Sequence, residues 1–126
     1  MSHALEYDPD GPPAVLVAHA RGDIDMAVAP ALHAELVDAV GRRSARCLVI
    51  DLEPVDYIDS SGIELLFRLH GTLGADGVEL IVVAPDGSNA ARLLSLVALS
   101  DIGEVRRSLD AALDRCADRG ADRGSR

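Results

Sequence analysis

Residues Cys47–Leu69 read CLVIDLEPVDYIDSSGIELLFRL, and they combine a strand pattern, a polar loop and a helix pattern. The first six residues, CLVIDL, form a short apolar run that ends before Pro54, which is typical of a buried strand. After the loop EPVDYID, the apolar residues Ile63, Leu66 and Leu69 follow helical spacing. The segment therefore predicts one strand–loop–helix unit of an α/β sheet.

The same alternation continues on both sides of this unit. We expect further strands near Ala4–Tyr7, at Ala14–Arg21, at Val78–Ala84 and near Glu104–Arg106. Amphipathic or capped segments between them predict helices after GDID (residues 22–25), from Ser88 or Asn89 through Leu99, and after Ser108. The predicted order is β-β-α-β-α-β-α-β-α. It favours an α/β fold with a mixed sheet of four or five strands, the first two antiparallel, and helices mainly on one face. The residues expected in the core include Val17, Leu48, Ile50, Ile81 and Val83.

The length of the chain fits a single domain. Its 126 residues, 48% of them hydrophobic, are enough for one hydrophobic core. We place one domain at residues 1–116. The remaining residues, 117–126, repeat the motif ADRG and predict a disordered C-terminal tail.

Composition excludes several classes of function. The chain has 21 acidic residues against 12 basic ones, a net charge of −9, and only 2% aromatic residues. Such a field repels nucleic acid and anionic lipid, so we expect no nucleic-acid binding but a protein partner with a basic patch. Because no apolar run approaches membrane-spanning length, we expect no membrane insertion either. Cys47 and Cys116 stand far apart in the sequence, and we expect buried reduced thiols in a cytoplasmic protein, with a redox switch as the alternative.

The sequence shows no pattern for catalysis or for a cofactor. A serine nucleophile elbow, GxSxG, is absent, as are both glycine-rich phosphate loops, and the chain contains no lysine. The histidines His3, His19, His33 and His70 are scattered, and no group of side chains has the spacing of metal ligands. We therefore expect no enzyme, no cofactor and no metal site.

The motif Asp59-Ser60-Ser61-Gly62 (DSSG) stands where the loop enters the second helix. Asp59 or Ser60 can cap that helix, a purely structural role. The free N–H groups and the dipole of a helix N-terminus also attract anions, so a phosphorylated serine is favourable there too. Both interpretations remain open from the residues alone.

Together, three segments resemble the STAS domain family. They are GDID after the second strand, LVIDLEPVDYIDSSGIELLFRL in the middle, and ARLLSLVALSDIGEVRRSLDAAL near the end. The resemblance implies a mixed sheet with helices mainly on one face. It also identifies the first serine of DSSG, Ser60, as the phosphorylated residue, with Asp25 and Asp59 close to it.

The resemblance is to anti-sigma-factor antagonists of bacteria, which are non-enzymatic regulators of transcription. It implies a cytoplasmic protein, a monomer or weak dimer, that binds an anti-sigma factor with a serine kinase fold. That kinase would phosphorylate Ser60 and break the complex, and a serine phosphatase would restore it. The alternative is a STAS subunit of a lipid or anion transport complex. We expect the partner on a docking face in which Leu65 is the apolar anchor; its residues are Asp23, Asp25, Asp59, Ser61, Gly62, Glu64, Leu65 and Arg68.

Overall fold

A computed structural model describes residues 5–9, 11–96 and 103–124 of the chain. The strands are β1 (Leu5–Tyr7), β2 (Val15–Ala20), β3 (Gly22–Ile24), β4 (Cys47–Asp51), β5 (Val55–Ile58), β6 (Glu79–Val83) and β7 (Glu104–Arg106). The helices are α1 (Ala29–Arg43), α2 (Ser60–Ala75), α3 (Asn89–Leu94) and α4 (Leu109–Gly124). The strand predicted to begin at Ala4 and the helix predicted to reach Leu99 both extend outside the described residues.

The main sheet has five strands in the order β1-β2-β4-β6-β7. β1 runs antiparallel to β2, and the other neighbours are parallel, with Leu48 of β4 opposite Leu16 of β2 and Leu80 of β6. The predicted α/β fold with its antiparallel first pair is confirmed. β3 and β5 form a separate two-stranded parallel sheet, which we did not predict.

The two faces of the main sheet pack against different helices. Alternate residues of the central strands, such as Leu48 and Ile50, lie in a core with α1, α2 and α3. The intervening residues, such as Val49 and Ile81, lie in a second core with Ala112 of α4. Three of the described helices therefore share one face, as predicted. The predicted core residues are all buried, with at most 3% of each exposed: Val17, Leu48, Ile50, Ile81 and Val83.

Strand β1 is held against α1 by a polar contact. The Tyr7 hydroxyl donates a hydrogen bond to Glu35 Oε2 at 3.0 Å, and the Arg43 guanidinium lies 6.0 Å from the centre of the Tyr7 ring. Burial and the neighbouring Glu35 carboxylate raise the pKa of Tyr7, so the phenol stays protonated and continues to donate this hydrogen bond. The edge of the sheet is thereby tied to the helical layer.

Helix α4 continues beyond the predicted end of the domain. It extends to Gly124, so residues 117–124, which the sequence predicts as part of a disordered tail, are helical. Alanine and arginine have high helix propensity, and each glycine in such a helix costs only about 1 kcal/mol. Residues 125–126 of that predicted tail lie outside the described residues, and the domain boundary at residue 116 stays a prediction.

The prediction of two reduced thiols is wrong in this structure. Cys47, at the start of β4, and Cys116, in α4, form a disulfide across 69 residues of sequence, with their Cα atoms 6.4 Å apart. That separation lies within the range of disulfides. The sequence spacing alone could not show that α4 packs over the first residue of β4.

Candidate functional site

The small sheet of β3 and β5 brings two distant loops together. Ile24 of β3 pairs with Ile58 of β5, and the Asp59 N–H donates to the Ile24 carbonyl at 3.4 Å. Asp25 and Asp59 are therefore the first residues after two paired strands. The GDID loop and the DSSG motif lie side by side, as the resemblance implied.

Ser60 is the first residue of α2, and its neighbour Asp59 caps the helix. The Asp59 side chain accepts a hydrogen bond from the Ser61 N–H at 2.9 Å. Its carbonyl accepts from the N–H groups of Gly62 and Ile63 at 3.0 and 3.2 Å. Because Asp59 performs the capping, the Ser60 hydroxyl is not needed for it. Ser60 is exposed, so its hydroxyl is accessible to a modifying enzyme.

Asp25 organises the start of α1 in a similar way. Its side chain accepts from the Ala27 N–H at 3.0 Å, and its carbonyl accepts from the N–H groups of Val28 and Ala29 at 3.2 and 2.9 Å. Asp25 is half-buried, whereas Asp23 is exposed. The turn predicted from GDID is thus a fixed feature at the edge of the DSSG motif.

Gly62 allows α2 to pack tightly on the small sheet. A Cβ atom at this position would lie 2.4 Å from Ile58 Cγ1 and 3.1 Å from Ile24 Cγ2. Real Cβ atoms do not approach other atoms so closely, so only glycine fits without movement of its neighbours. The glycine of DSSG therefore fixes the distance between Ser60 and the paired strands.

Replacing Gly62 by alanine is expected to destabilise the fold by about 1–3 kcal/mol, because the added methyl group overpacks the contact with Ile58. Urea denaturation would measure this change. Gly71→Ala is the matched control: Gly71 lies in the same helix with open space around its Cβ position. Alanine there should stabilise the helix by roughly 0.5–1 kcal/mol. Equal effects of the two substitutions would contradict the packing role of Gly62.

A cavity of about 110 Å³ lies between α1 and α2, next to the DSSG motif. Met26, at the mouth of this α1–α2 cavity, is 76% exposed. Glu64 and Arg68 are exposed as well, and within the described part of the chain neither makes an ion pair or a side-chain hydrogen bond. The lining residues are Met26, Ala29, Pro30, His33, Ser61, Glu64, Leu65 and Arg68.

Leu65 is not the exposed anchor that the sequence predicted. It is only 5% exposed and belongs to the main core. The reason is that α2 packs against α1 as well as against the sheet, so a wider part of its surface is covered than the stripe of Ile63, Leu66 and Leu69 indicates. Met26 is an exposed apolar side chain on the wall of the α1–α2 cavity. Sequence reasoning missed it because it lies in a loop with no periodic pattern.

The other predicted face residues lie around the same region. Ser61 is half-buried and lines the α1–α2 cavity, whereas Gly62 is buried beneath the start of α2. Carboxylates outnumber basic groups among the docking-face residues, with Asp23, Asp25, Asp59 and Glu64 against Arg68. The excess of negative charge favours a basic partner surface.

A buried carboxylate anchors the loop that leads to DSSG. Asp51, at the end of β4, is only 5% exposed and is the one buried charged residue in the described ranges. Its Oδ2 lies 2.7 Å from Nδ1 of His19 on β2, and its Oδ1 accepts from the Glu53 N–H at 3.0 Å. The polar contacts satisfy Asp51 and fix the turn before β5. Sequence reasoning left His19 without a partner.

Two negative findings apply to the described residues. No three His, Cys, Asp or Glu side chains are grouped so that they could hold a metal ion. None of the described helices has the length and apolar content needed to cross a membrane.

Comparison with known proteins gives a family match over most of the chain. The model of the STAS domain matches residues 7–112. An anti-sigma factor antagonist from Mycobacterium paratuberculosis has a similar structure, with 28% identity, a TM-score of 0.68, and coverage of 88% of this chain and 92% of that chain.

More distant structures share the fold. The anti-sigma factor antagonist SpoIIAA in its unphosphorylated form has 18% identity and a TM-score of 0.67, covering 90% of this chain and 98% of that one. The phosphorylated form of SpoIIAA from Bacillus matches at 18% identity with a TM-score of 0.63, covering 90% and 99%. A sulfate transporter family protein from Wolinella succinogenes matches at 19% identity with a TM-score of 0.68, covering 86% and 93%.

Proposed function

The chain belongs to the STAS domain family, and we propose that within it this protein is an anti-sigma-factor antagonist switched by phosphorylation of Ser60. It acts in the bacterial cytoplasm as a binding module rather than as an enzyme. Its partner is an anti-sigma factor with a serine kinase fold. Binding releases a sigma factor, and phosphorylation of Ser60 ends the binding until a serine phosphatase removes the phosphate.

The observation that carries this proposal is the position of Ser60. Ser60 is exposed and is the first residue of α2. It does not cap the helix, because Asp59 does so. A kinase can therefore reach the hydroxyl without unfolding the helix. The phosphoryl group would lie on the surface formed by the two paired loops, where a bound partner has to approach.

The neighbouring structures support the same role. Three of them are structures of two anti-sigma factor antagonists, one of which, SpoIIAA, is known in an unphosphorylated and a phosphorylated form. The acidic docking face of this chain suits a partner with a basic surface. Partner binding through Asp23, Asp25, Asp59, Ser61, Glu64 and Arg68 is part of the proposal, whereas the buried Gly62 contributes through the packing of α2 and not by contact with the partner.

Phosphorylation is expected on Ser60 and not on Ser61. Successive side chains of a helix point about 100° apart, and Ser61 is half-buried on the wall of the α1–α2 cavity. Mass spectrometry of peptides after treatment with the partner kinase should locate the phosphate on Ser60. Phosphate found on Ser61 alone would overturn the assignment.

Met26 replaces Leu65 as the proposed apolar anchor of the docking face. Its exposure and its place beside Ser61 suit a residue that becomes buried on binding. We expect Met26→Ala to weaken binding to the anti-sigma factor about tenfold, since an anchor residue contributes more than about 1 kcal/mol. The fold should be unaffected, because the side chain is exposed.

The matched control for Met26 is Leu96→Ala. Leu96 is equally exposed, at 77%, but does not line the α1–α2 cavity. Titration of both variants against the anti-sigma factor separates a specific anchor from a general loss of apolar surface. Equal affinities for the two variants would remove Met26 from the interface.

A pull-down from extracts of the native bacterium tests the proposed function as a whole. Wild type and Ser60→Ala should capture an anti-sigma factor with a kinase fold, and Ser60→Glu should capture much less of it. The competing candidate, a STAS subunit of a transport complex, is favoured by the structural likeness to a sulfate transporter family protein. Copurification with membrane transport proteins, regardless of the residue at position 60, would favour that candidate.

A further inference from the structure

Helix α4 is attached to the rest of the protein differently from the other helices. It packs on the opposite face of the main sheet, where the second core consists of β2, β4 and β6 residues and α4 itself. Among the α4 side chains that the structure describes, residues 109–117, Ala112 and Cys116 are buried and Leu109 and Leu113 are partly buried. This part of the helix makes few apolar contacts, so it depends strongly on any additional link to the sheet.

Two such links are polar or covalent. Arg115 Nε donates to Glu104 Oε1 of β7 at 2.8 Å, and Arg115 Nη2 lies 3.8 Å from Glu79 Oε2 of β6. One residue further along α4, Cys116 is bonded to Cys47 of β4. The disulfide therefore joins the terminal helix to the central strand of the sheet.

We propose that Cys47 and Cys116 form a reversible redox clasp that controls the docking of α4. The oxidised form holds α4 on the sheet, and the reduced form releases it to local opening. Redox sensing is a function separate from the Ser60 switch. From the proposed function, the clasp proposal needs only the cytoplasmic location. Disulfides in a reducing compartment are as a rule transient, catalytic or redox-sensing.

The chemistry requires an oxidant, and a hydroperoxide is sufficient. One cysteine thiolate attacks a peroxide oxygen, which breaks the O–O bond and leaves a sulfenic acid. The second thiol attacks that sulfur and expels water, so that two thiols and hydrogen peroxide give one disulfide and two waters. A dithiol reductant reverses the bond by thiol–disulfide exchange and is itself oxidised to a disulfide.

Both sulfur atoms of the clasp are buried, so they react when α4 has opened. Cys47 is 5% and Cys116 is 6% exposed, so oxidation and reduction both proceed through local openings that expose sulfur, which occur less often in the oxidised form. Opening of α4 exposes both, and disulfide formation then closes a loop spanning 69 residues of sequence separation. By constraining the unfolded chain, such a bond raises the melting temperature by roughly 10–20 °C.

The clasp and the Ser60 switch lie in different parts of the fold. Ser60 begins α2, which packs in the main core, whereas the cysteine pair lies in the second core beyond the central strands. Redox state should therefore change the stability of α4 without changing partner affinity of the folded protein. Failure of one proposal leaves the other standing.

Hydrogen exchange of the full chain under two redox conditions tests the clasp. After treatment with hydrogen peroxide, peptide mapping should show the Cys47–Cys116 link, and an excess of dithiothreitol should remove it. The reduced protein should exchange the amides of residues 109–117 at least tenfold faster than the oxidised protein. In the reduced protein these amides should also exchange faster than those of α2, because α4 opens locally.

Variants on α4 separate the clasp from general redox effects. Cys116→Ala should exchange fast in both conditions, because it cannot form the bond. Asp114→Ser, an exposed substitution on the same helix, should respond as wild type does. A link that persists under excess reductant, a link that never forms under peroxide, or α4 exchange that ignores redox state would each overturn the clasp.

Discussion

Transfer of a phosphoryl group to Ser60 is expected to weaken binding of the anti-sigma factor at least a hundredfold while the fold survives. The modification adds about −1.5 to −2 charges beside Asp59. A close-packed partner surface would have to bury this charge without a compensating group, which costs several kcal/mol. Each 1.4 kcal/mol is a tenfold loss of affinity, so a hundredfold loss needs only about 2.8 kcal/mol.

Within the chain itself the added charge changes the stability of the fold only slightly. The dipole at the N-terminus of α2 stabilises it by up to about 1 kcal/mol. The N–H groups of Ser61, Gly62 and Ile63 are already bonded to Asp59, so the phosphate gains few new hydrogen bonds within the chain. The gain from the dipole and the repulsion by Asp59 oppose each other, and the melting temperature should move by only about 4 °C or less.

Substitutions at Ser60 reproduce the two states in part. Ser60→Glu carries a smaller charge than phosphate and should weaken binding less completely. Ser60→Ala should bind like the unmodified chain and resist inactivation by the kinase. Thermal denaturation of each form checks the fold. If Ser60→Glu lost its binding together with a large drop in melting temperature, unfolding would explain the loss and the switch would not.

Truncation of Ile50 to alanine is expected to cost about 2–5 kcal/mol of stability. Ile50 is 3% exposed in the central strand β4, between β2 and β6, and it lies in the main core. The free energy of unfolding of such a domain is only about 5–15 kcal/mol in total, so the substitution would remove a large share of it.

Urea denaturation measures the Ile50 effect, and Val105→Ala serves as its control. Val105 is half-buried on β7, at the edge of the sheet. The Val105→Ala variant should lose less stability than Ile50→Ala, because the surroundings of Val105 can relax toward solvent. A loss below about 0.5 kcal/mol at Ile50, the range of ordinary surface substitutions, would contradict its place in the core.

The long periodic segments explain why most of the fold was predictable. β4 is a continuous apolar run and α2 shows helical spacing, and both patterns follow from burial. β3 and β5 contain only three and four residues, too few for a period. They exist because Ile24 and Ile58 pair across the fold, a tertiary contact with no local signal.

The candidate site was predictable where a motif fixes the backbone and not where packing decides exposure. Asp25, Asp59 and Ser60 lie together as the resemblance implied, since two short strands position them. Leu65, the predicted anchor, is buried and Met26 is exposed, because α1 covers one side of α2 and leaves the loop before α1 uncovered. The relative placement of two helices is a property of the whole core.

The cysteine pair shows the same limit. Cys47 and Cys116 stand 69 residues apart in the sequence, and whether they meet depends on which face of the sheet α4 covers. Val17, Val49 and Ile81 lie on the face that α4 covers, opposite the main core. Crossover handedness and strand order determine which face α4 covers, and neither can be read from Cys47 and Cys116 themselves.

Calorimetric titration of the purified anti-sigma factor with unmodified chain and with chain phosphorylated on Ser60 tests the central claim most directly. We expect measurable binding of the unmodified form and an affinity at least a hundredfold lower for the phosphorylated form, with both forms folded. Equal affinity for the two forms would contradict it.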